Sequence, residues 1–268
     1  MRLALLRGRE HVELGAIAAV AEGNAAIALS LGGAKKQYAH VDPNEDAALL
    51  ALGPAGALVA VADGHHGFEA AEVALEYLAT HPAPHWTEPG TVSPETWARQ
   101  AAAVLEDANR AIRAERDGFQ GGSCTTLAFA LVLPAAGALL YASVGDSHIY
   151  RVAEDGAVRD LAAHPAAKKF FLGQSEASAA LLAVRGTIDV APLAAARAVV
   201  LATDGLTERD IGVDDPEAAV REAIDGAAAA EPPGRRPLEA ARGLLELACA
   251  AHRRGRSGDN AACAVVWL

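Results

Sequence analysis

An uninterrupted apolar run meets an acidic, glycine-rich turn in the segment LVAVADGHHG, residues 58–67. A run of this length predicts a buried β-strand, and the turn places Asp63 at the rim of the core. Asp-Gly is also an ordinary turn signal, so Asp63 and Gly64 taken alone could form a simple turn. The rest of the chain decides between a chemical and a purely structural reading of this turn.

An amphipathic helix is predicted to follow the turn and to begin at Gly67. Its apolar and acidic residues separate onto two faces at helical spacing. The apolar face contains Ala70, Ala74, Tyr77 and Leu78, and the predicted solvated face contains Glu69, Glu72 and Glu76. Strand, acidic turn and helix therefore follow one another directly.

Three further aspartates stand at the ends of apolar runs. Asp146 follows LLYASVG, Asp204 follows VVLAT, and Asp259 lies in GDN just before AACAVVW. Several strands are thus predicted to bring carboxylates to one place. Clustered carboxylates repel one another unless a proton or a cation intervenes, and hard divalent metals prefer oxygen ligands. The pattern therefore predicts a divalent metal site.

Strand groups and helices alternate in blocks along the rest of the chain. Further strands are predicted at 127–133, 138–144, 149–152, 199–203 and 261–268. The PAAG and EDG turns predict antiparallel hairpins, and helices are predicted to begin at Ser93–Pro94, Pro216 and Pro237. Residues 162–187 are the least regular part. This order predicts an α+β layered fold and one domain spanning residues 1–268.

Composition narrows the functional classes. Hydrophobic residues make up 52% of the 268 residues, and the net charge is −11. The acidic balance argues against nucleic-acid binding and against docking on anionic membranes. The cysteines Cys124, Cys249 and Cys263 are an odd count among apolar neighbours and predict buried, reduced thiols. Charges interrupt the N-terminal apolar stretch, so no signal peptide is predicted and the expected location is the cytoplasm.

Several stretches together resemble one known family. They are NEDA (44–47), VADGHHG (61–67), GGSCTTLAFALV (121–132), VGDSH (144–148), LATDGLTE (201–208) and GDN (258–260). In this order and spacing the chain resembles the metal-dependent protein phosphatases, the type 2C Ser/Thr phosphatases. The resemblance implies a four-layer αββα sandwich with two central, mainly antiparallel sheets. It also implies two Mn²⁺ or Mg²⁺ ions at one end of the sandwich.

The resemblance assigns metal-binding roles to seven residues. Asp63 would bridge the two ions, and the carbonyl of Gly64 would hold one of them. Asp204 and Asp259 would hold the other ion. The remaining implied ligands are Glu45 and Asp46, directly or through water, and Asp146, which with Asp204 would support a third, weaker ion.

The implied reaction is hydrolysis of phosphoserine and phosphothreonine in a phosphoprotein, within a pathway that uses a Ser/Thr kinase. A phosphate monoester carries about two negative charges near neutral pH, which repel hydroxide. Two metals roughly 3.5–4 Å apart acidify a bridging water and clamp the phosphoryl oxygens. Asp63 and Asp204 would hold this centre, and His65 would act as the general acid that protonates the leaving oxygen.

Each site residue also has a structural interpretation. His65 and His66 could be a surface pair at a helix start, and of the two His66 is predicted to be structural. Asp146 could be a hairpin turn residue, and Glu45 a solvated loop charge. Asp204 and Asp259 could cap helices or turns. The remaining histidines have no chemical constellation and are predicted to be ordinary surface or half-buried residues: His11, His81, His85, His164 and His252.

The chain departs from the family pattern at three places. Val41 stands where the family has an arginine, five residues before Asp46, that grips the substrate phosphate. Lys35, Lys36 or His40 could substitute for it. His148 replaces an arginine after Gly-Asp-Ser, and the flap near 162–187 is divergent. These departures leave two alternatives open, a catalytically weak phosphatase-like binding module and a small-molecule phosphoesterase.

Overall fold

The computed structural model of the chain describes residues 2–37, 43–81, 93–119, 122–162 and 170–268. Two six-stranded sheets, named here sheet A and sheet B, pack face to face. All strand pairs within both sheets are antiparallel. The predicted α+β class with two central antiparallel sheets is confirmed.

Sheet A contains the strand that was predicted at the start of the segment LVAVADGHHG, residues 58–67. Its spatial order is β1 (Arg2–Arg7), β4 (Ala47–Leu52), β5 (Ala57–Ala62), β8 (Leu127–Leu133), β9 (Ala138–Val144) and β12 (Thr187–Pro192). The order in sheet B is β11 (Val158–Asp160), β10 (His148–Ala153), β13 (Ala196–Ala202), β14 (Ala261–Trp267), β3 (Ala25–Ser30) and β2 (Ala18–Glu22). A two-stranded ribbon joins β6 (Gly64–His65) to β7 (Cys124–Thr125).

Helices cover the outer faces of both sheets. On sheet A lie α1 (Glu69–Thr80), α2 (Pro94–Glu115) and the short α3 (Ala179–Arg185). On sheet B lie α4 (Pro216–Ala227) and α5 (Arg236–Gly255). The layer order is therefore helices, sheet A, sheet B, helices, as the αββα prediction requires. No helix in these described ranges is long and apolar enough to cross a membrane.

The apolar run at residues 58–62 is continuous because β5 lies in one of the two middle layers of the sandwich. Leu58 and Ala60 face the helices on sheet A. Val59 and Val61 face sheet B across the inter-sheet core. Because both faces of this strand are buried, alternation of apolar and polar residues is not needed, and burial of both faces holds the end of the strand rigidly.

Side chains cap the starts of two helices, and the cap at Ser93 was predicted from the sequence. The Ser93 side chain accepts a hydrogen bond from the Thr96 amide at the start of α2, with Pro94 in the first turn. The Asp215 side chain accepts from the Ala218 amide at the start of α4 in the same way. Both caps satisfy an amide that would otherwise lack an intrahelical partner.

The predicted start of α1 at Gly67 is wrong, because the helix begins at Glu69. His66 and Gly67 have φ values of 62° and 131°, which a right-handed helix excludes. The solvated role predicted for Glu72 is also wrong. Its carboxylate is buried and lies 3.1 Å from Arg9 Nε and 3.5 Å from Arg7 Nε. Burial raises the pKa of Glu72 to about 7, although the two arginines oppose this shift.

The turn at Asp146 connects the two sheets. Strand β9 pairs in sheet A, whereas β10 pairs in sheet B. The interpretation of Asp146 as a hairpin turn residue is therefore wrong. The PAAG and EDG hairpins, β8–β9 and β10–β11, are confirmed.

Within the segment 162–187, the described residues 170–187 contain more order than their sequence indicates. Ser178 caps α3 through the Leu181 amide, and Gly186 ends it. The following strand, β12, extends the edge of sheet A beside β9, and its six residues had no predicted strand. Residues 163–169, which include His164, lie outside the described ranges. The three cysteines are buried and free, as predicted.

Candidate metal centre

The predicted acidic residues gather at one end of the sandwich, around a cavity of about 330 Å³. Strand ends supply them because antiparallel neighbours in the two packed sheets terminate at the same edge. Glu45, Asp63, Asp204 and Asp259 line the cavity together with Gly64, His65, His66, Lys36, Glu208 and Ile211. The structure thus brings the sequence-predicted site residues to a common place.

Three carboxylates form a close cluster. Asp63, Asp146 and Asp204 each offer an oxygen, and these oxygens lie within 4.8 Å of one another. Oδ1 of Asp146 is buried and has no hydrogen-bond partner. Burial raises the pKa of Asp63 well above its ordinary value, and the Asp204 carboxylate raises it further. The pKa of Asp204 is raised by burial and then by Asp259 and Asp146.

This crowding fits the divalent metal that the family implies. Buried carboxylates at such distances destabilise one another's charged forms, and a hard cation removes that repulsion. The oxygen-only donor set suits Mg²⁺ or Mn²⁺ better than a metal that prefers thiolate. An orphaned buried oxygen on Asp146 is the atom that a cation would satisfy.

Asp46 extends the cluster into the core. It is buried, and its Oδ2 accepts a 2.7 Å hydrogen bond from the Thr203 hydroxyl. Burial raises the pKa of Asp46 to about 7, while the Thr203 bond opposes the shift and the Asp259 charge adds to it. The charge of Asp46 in turn raises the pKa of Asp63. These two carboxylates, which flank β4 and β5, are therefore coupled electrostatically.

Glu45 and Asp259 meet at a lysine. Nζ of Lys36 lies 2.8 Å from Oδ1 of Asp259 and 3.3 Å from Oε2 of Glu45. The other oxygen of Glu45 accepts a 2.7 Å bond from the Gly67 amide. The Glu45 carboxylate is therefore buried and held between the lysine and the turn that precedes α1, and it is not a solvated loop charge.

Hydroxyl side chains of the β7–β8 segment fix the backbone of Asp63. The Asp63 amide donates to Oγ1 of Thr126 at 3.0 Å, and the Thr125 hydroxyl donates to the Asp63 carbonyl at 2.9 Å. Oγ1 of Thr126 also lies 2.8 Å from Oγ of Ser147, beside Asp146. The GGSCTT motif thus links the turns that carry Asp63 and Asp146.

Gly64 is required by close backbone packing. A Cβ at this position would lie 2.5 Å from the Glu45 carbonyl oxygen and 2.8 Å from that of Gly67. Both neighbours are backbone atoms, so neither can move without shifting the turn. Gly64 thereby lets the segments that carry Glu45 and Asp63 approach one another.

His65 stands at the rim of the cavity. Its Nδ1 is buried without a hydrogen-bond partner, 3.7 Å from Oδ1 of Asp63. The ring of Phe171 lies against it, with ring centroids 4.4 Å apart. Burial lowers the pKa of His65, and the Asp146 carboxylate opposes that shift. His66 has the left-handed backbone that shapes the turn, which agrees with a structural role.

Two histidines that the sequence left without a role support the turn at Asp204. His252 is fully buried: Nδ1 accepts from the Gly33 amide, and Nε2 lies 2.7 Å from the Gly205 carbonyl oxygen. The prediction that His252 is an ordinary histidine is therefore wrong. Its partners are distant in sequence, so only a buried position on α5 could have indicated it.

His148 supports the same turn from β10. Its Nδ1 lies 2.7 Å from Oδ2 of Asp160, and its Nε2 lies 2.9 Å from Oγ1 of Thr207. The Thr207 amide in turn donates to the Asp204 carbonyl at 2.6 Å. The departure from the family pattern at this position thus carries a chain of hydrogen bonds to the backbone of Asp204. Val41, His40, Lys168 and Lys169 lie outside the described residues.

Comparison with known proteins agrees with this arrangement. The protein phosphatase 2C family matches residues 34–240. The serine-threonine phosphatase 2C from Toxoplasma gondii has a TM-score of 0.69 at 18% identity, covering 94% of this chain and 99% of that chain. The serine/threonine phosphatase PstP/Ppp from Mycobacterium tuberculosis has a TM-score of 0.58 at 24% identity, covering 94% and 98%. A search of curated proteins gives no match.

The fold and the site define a two-sheet α+β protein with a carboxylate centre suited to divalent metal. The family match covers more than half of the chain, from residue 34 to residue 240 of 268. The chain belongs to the protein phosphatase 2C family. This family is metal-dependent, and the Asp63–Asp146–Asp204 cluster is able to bind such a metal.

Proposed function

We propose that the chain is a metal-dependent protein phosphatase that hydrolyses phosphoserine and phosphothreonine. The observation that carries this proposal is the close cluster of Asp63, Asp146 and Asp204 near the cavity that His65 lines. A phosphorylated protein is the substrate class, and a Ser/Thr kinase supplies the phosphoryl group that is removed. The acidic net charge of −11 disfavours nucleic acid and anionic membranes as partners.

The carboxylates at this end of the sandwich would hold two ions, Mn²⁺ or Mg²⁺. Asp63 and the Gly64 carbonyl would serve one ion, and Asp63, Asp204 and Asp259 the other. Glu45 and Asp46 would contribute directly or through water, and Asp146 would support a third ion with Asp204. When bound, such ions activate water for attack and neutralise the phosphoryl oxygens.

The protein's own groups orient this chemistry. The inter-sheet core and the Thr125–Thr126 hydrogen bonds hold Asp63 in place before any ligand arrives. His65 would donate a proton to the departing Ser or Thr oxygen. Because burial lowers the pKa of His65 below the ordinary histidine value, its protonated fraction falls on the acid side of neutrality. Turnover that depends on this proton is therefore expected to decline as the pH rises from mildly acidic towards neutral.

The decisive experiment is hydrolysis of a phosphothreonine peptide with Mn²⁺ by the wild type and by Asp204→Asn. Loss of turnover in this variant supports the proposal. Asp210→Asn is the matched control, because it makes the same charge change in the segment between β13 and α4 on a side chain that is 90% exposed. Wild-type activity in Asp204→Asn, or equal losses in both variants, would refute the assignment.

A small phosphoester is the second candidate substrate, and the valine at position 41 favours it. Without the family's arginine, a large phosphoprotein loses one anchor for its phosphate. Comparing kcat/KM for phosphopeptides with that for small phosphoesters separates the two substrate classes. We further propose that residues 1–268 form one domain and that the protein acts in the cytoplasm.

A further inference from the structure

A lysine side chain reaches into the candidate metal centre from the segment between β3 and β4. Nζ of Lys36 contacts Asp259 at 2.8 Å and Glu45 at 3.3 Å, and its side chain is only 8% exposed. Lys36 also lines the cavity that Asp63 and His65 line. Its ammonium therefore lies where it can meet a ligand of the centre.

The backbone that carries Lys36 is fixed against the turn before β14. The Gly258 amide donates to the Lys35 carbonyl at 3.1 Å, and the Gly33 amide donates to His252. A Cβ on Gly32 would lie 2.3 Å from the Asp259 carbonyl oxygen, so the two segments pack closely. The position of Lys36 beside Asp259 thus follows from packing of the backbone.

A purely structural ion pair is a weak explanation for this lysine. Burying an ammonium and two carboxylates costs several kcal/mol of desolvation per ion by order of magnitude, and apolar residues often stabilise such a position better. The carboxylates of Asp259 and Glu45 lie 2.8 Å and 3.3 Å from the ammonium, and opposite charges this close favour its charged form. The acidic partners thus maintain a fixed positive charge inside the cavity.

The distribution of charge in the cavity indicates the role of the Lys36 ammonium. Among the cavity-lining residues that the structure describes, Lys36 has the sole permanent positive charge, beside the acidic Glu45, Asp63, Asp204, Glu208 and Asp259. A phosphate dianion that enters this acidic cavity needs contacts with cationic groups. The sequence has valine at position 41, where the family pattern has its phosphate-binding arginine.

We propose that Lys36 binds the phosphoryl oxygens of the substrate and replaces the arginine that position 41 lacks. The inference rests on the proposed function. Lysine suits this role because its ammonium is a compact charge on a flexible four-carbon stem, so it can contact phosphate without leaving Asp259. Glu45 and Asp259 act as positioning residues for the ammonium as well as candidate metal ligands.

The test measures binding of inorganic phosphate to the Mn²⁺-loaded protein by calorimetry, with Mn²⁺ affinity measured in parallel. Lys36→Met is expected to weaken phosphate binding by about 10- to 100-fold, the range of one charge-assisted hydrogen bond. Lys36→Arg is expected to restore most of the affinity. Lys35→Met is the matched control, since Lys35 is the exposed neighbour of Lys36.

Unchanged phosphate affinity in Lys36→Met would overturn the inference. So would a loss of Mn²⁺ affinity as large as the loss of phosphate affinity, because Lys36 would then only support metal ligands. If Lys36→Met fails to fold, Lys36→Gln and Lys36→Arg provide the same comparison. A wild type that binds phosphate through Lys36 but hydrolyses no phosphoester would refute the proposed function and leave the phosphate contact standing.

Discussion

Replacing Asp63 by asparagine is expected to stabilise the protein in EDTA and to remove the stabilisation that Mn²⁺ gives the wild type. Asp63 is 7% exposed, and burial together with the Asp204 and Asp46 carboxylates raises its pKa. A charge at this position therefore opposes folding unless a cation compensates it. Asparagine keeps the shape of the side chain and removes the charge.

The magnitude follows from the burial of this carboxylate. Removing one uncompensated buried charge is expected to raise the free energy of unfolding in EDTA by ~1–3 kcal/mol. For a protein of this size, that corresponds to a rise in Tm of roughly 2–12 °C. Mn²⁺ at a hundred times its Kd is expected to stabilise the wild type by about 2.7 kcal/mol per site and the variant by much less.

The pH dependence of the free energy of unfolding provides a second test of this prediction. Because the folded-state pKa of Asp63 is raised, the folded wild type binds more protons than the unfolded chain. Its stability in EDTA therefore falls as the pH rises from the ordinary carboxyl range towards the folded-state pKa. The excess stability of Asp63→Asn is expected to grow over the same interval.

Thermal melts in EDTA and in Mn²⁺ across pH measure both effects. Asp210→Asn is the control, since this aspartate is 90% exposed and should change little in either condition. The reasoning is refuted if Asp63→Asn lowers Tm in EDTA, or if Mn²⁺ stabilises the variant as strongly as it stabilises the wild type.

Three further changes test the surroundings of the centre. Gly64→Ala is expected to cost ~1–3 kcal/mol of stability, because its Cβ would lie 2.5 Å from the Glu45 carbonyl oxygen. Gly226→Ala is the control, because open space surrounds this position and the change should not destabilise α4. Thermal melts compare the two variants. His65→Asn is expected to lower kcat by about 10²- to 10⁴-fold on a phosphothreonine peptide, but less on an aryl phosphate, whose leaving group needs no proton. His252→Leu is expected to destabilise the fold by ~1–3 kcal/mol, because the Gly33 amide and the Gly205 carbonyl lose their partner. Burial lowers the pKa of His252, so the stability that its neutral form contributes is lost as the pH falls below the ordinary histidine pKa. In chemical denaturation, the free energy of unfolding of His252→Leu should therefore fall less steeply than that of the wild type on the acid side.

Each of these predictions has a contradicting result. Equal melts for Gly64→Ala and Gly226→Ala would mean that the turn relaxes without cost. An equal loss on both substrates for His65→Asn would exclude a role in protonating the leaving group. An unchanged acid limb in His252→Leu would mean that another group controls stability in that interval.

Local pattern was sufficient for the strands and turns that carry the acidic residues. The apolar run before Asp63 predicted a strand because both faces of β5 are buried. Ser93 predicted the start of α2 because an N-cap depends on local chemistry. The αββα arrangement itself came from resemblance to a family, since hairpin signals alone do not specify how two sheets pack.

Long-range packing decided what the sequence could not show. Glu72 has a helical position that looks solvated, but Arg7 and Arg9 from another part of the chain cover it. The turn at Asp146 looks like a hairpin, yet the chain passes from one sheet to the other there.

The centre itself shows the same limit. Lys36 was one of three cations that could replace the missing arginine, and only its ion pairs with Glu45 and Asp259 distinguish it from its exposed neighbour. His252 reaches the Asp204 turn from α5, and no local signal connects those segments. A short apolar stretch such as AALLAVR is compatible with strand or helix, so α3 was missed.

The central claim is that the protein is a metal-dependent phosphatase. The most direct test strips the wild-type protein with EDTA, adds Mn²⁺ back in steps and measures phosphate release from a phosphothreonine peptide. The carboxylate centre around Asp63 and Asp204 predicts no turnover in the stripped protein and turnover that rises and saturates with Mn²⁺. Full activity after stripping, or no release in folded protein that calorimetry shows to have bound Mn²⁺, would contradict the account.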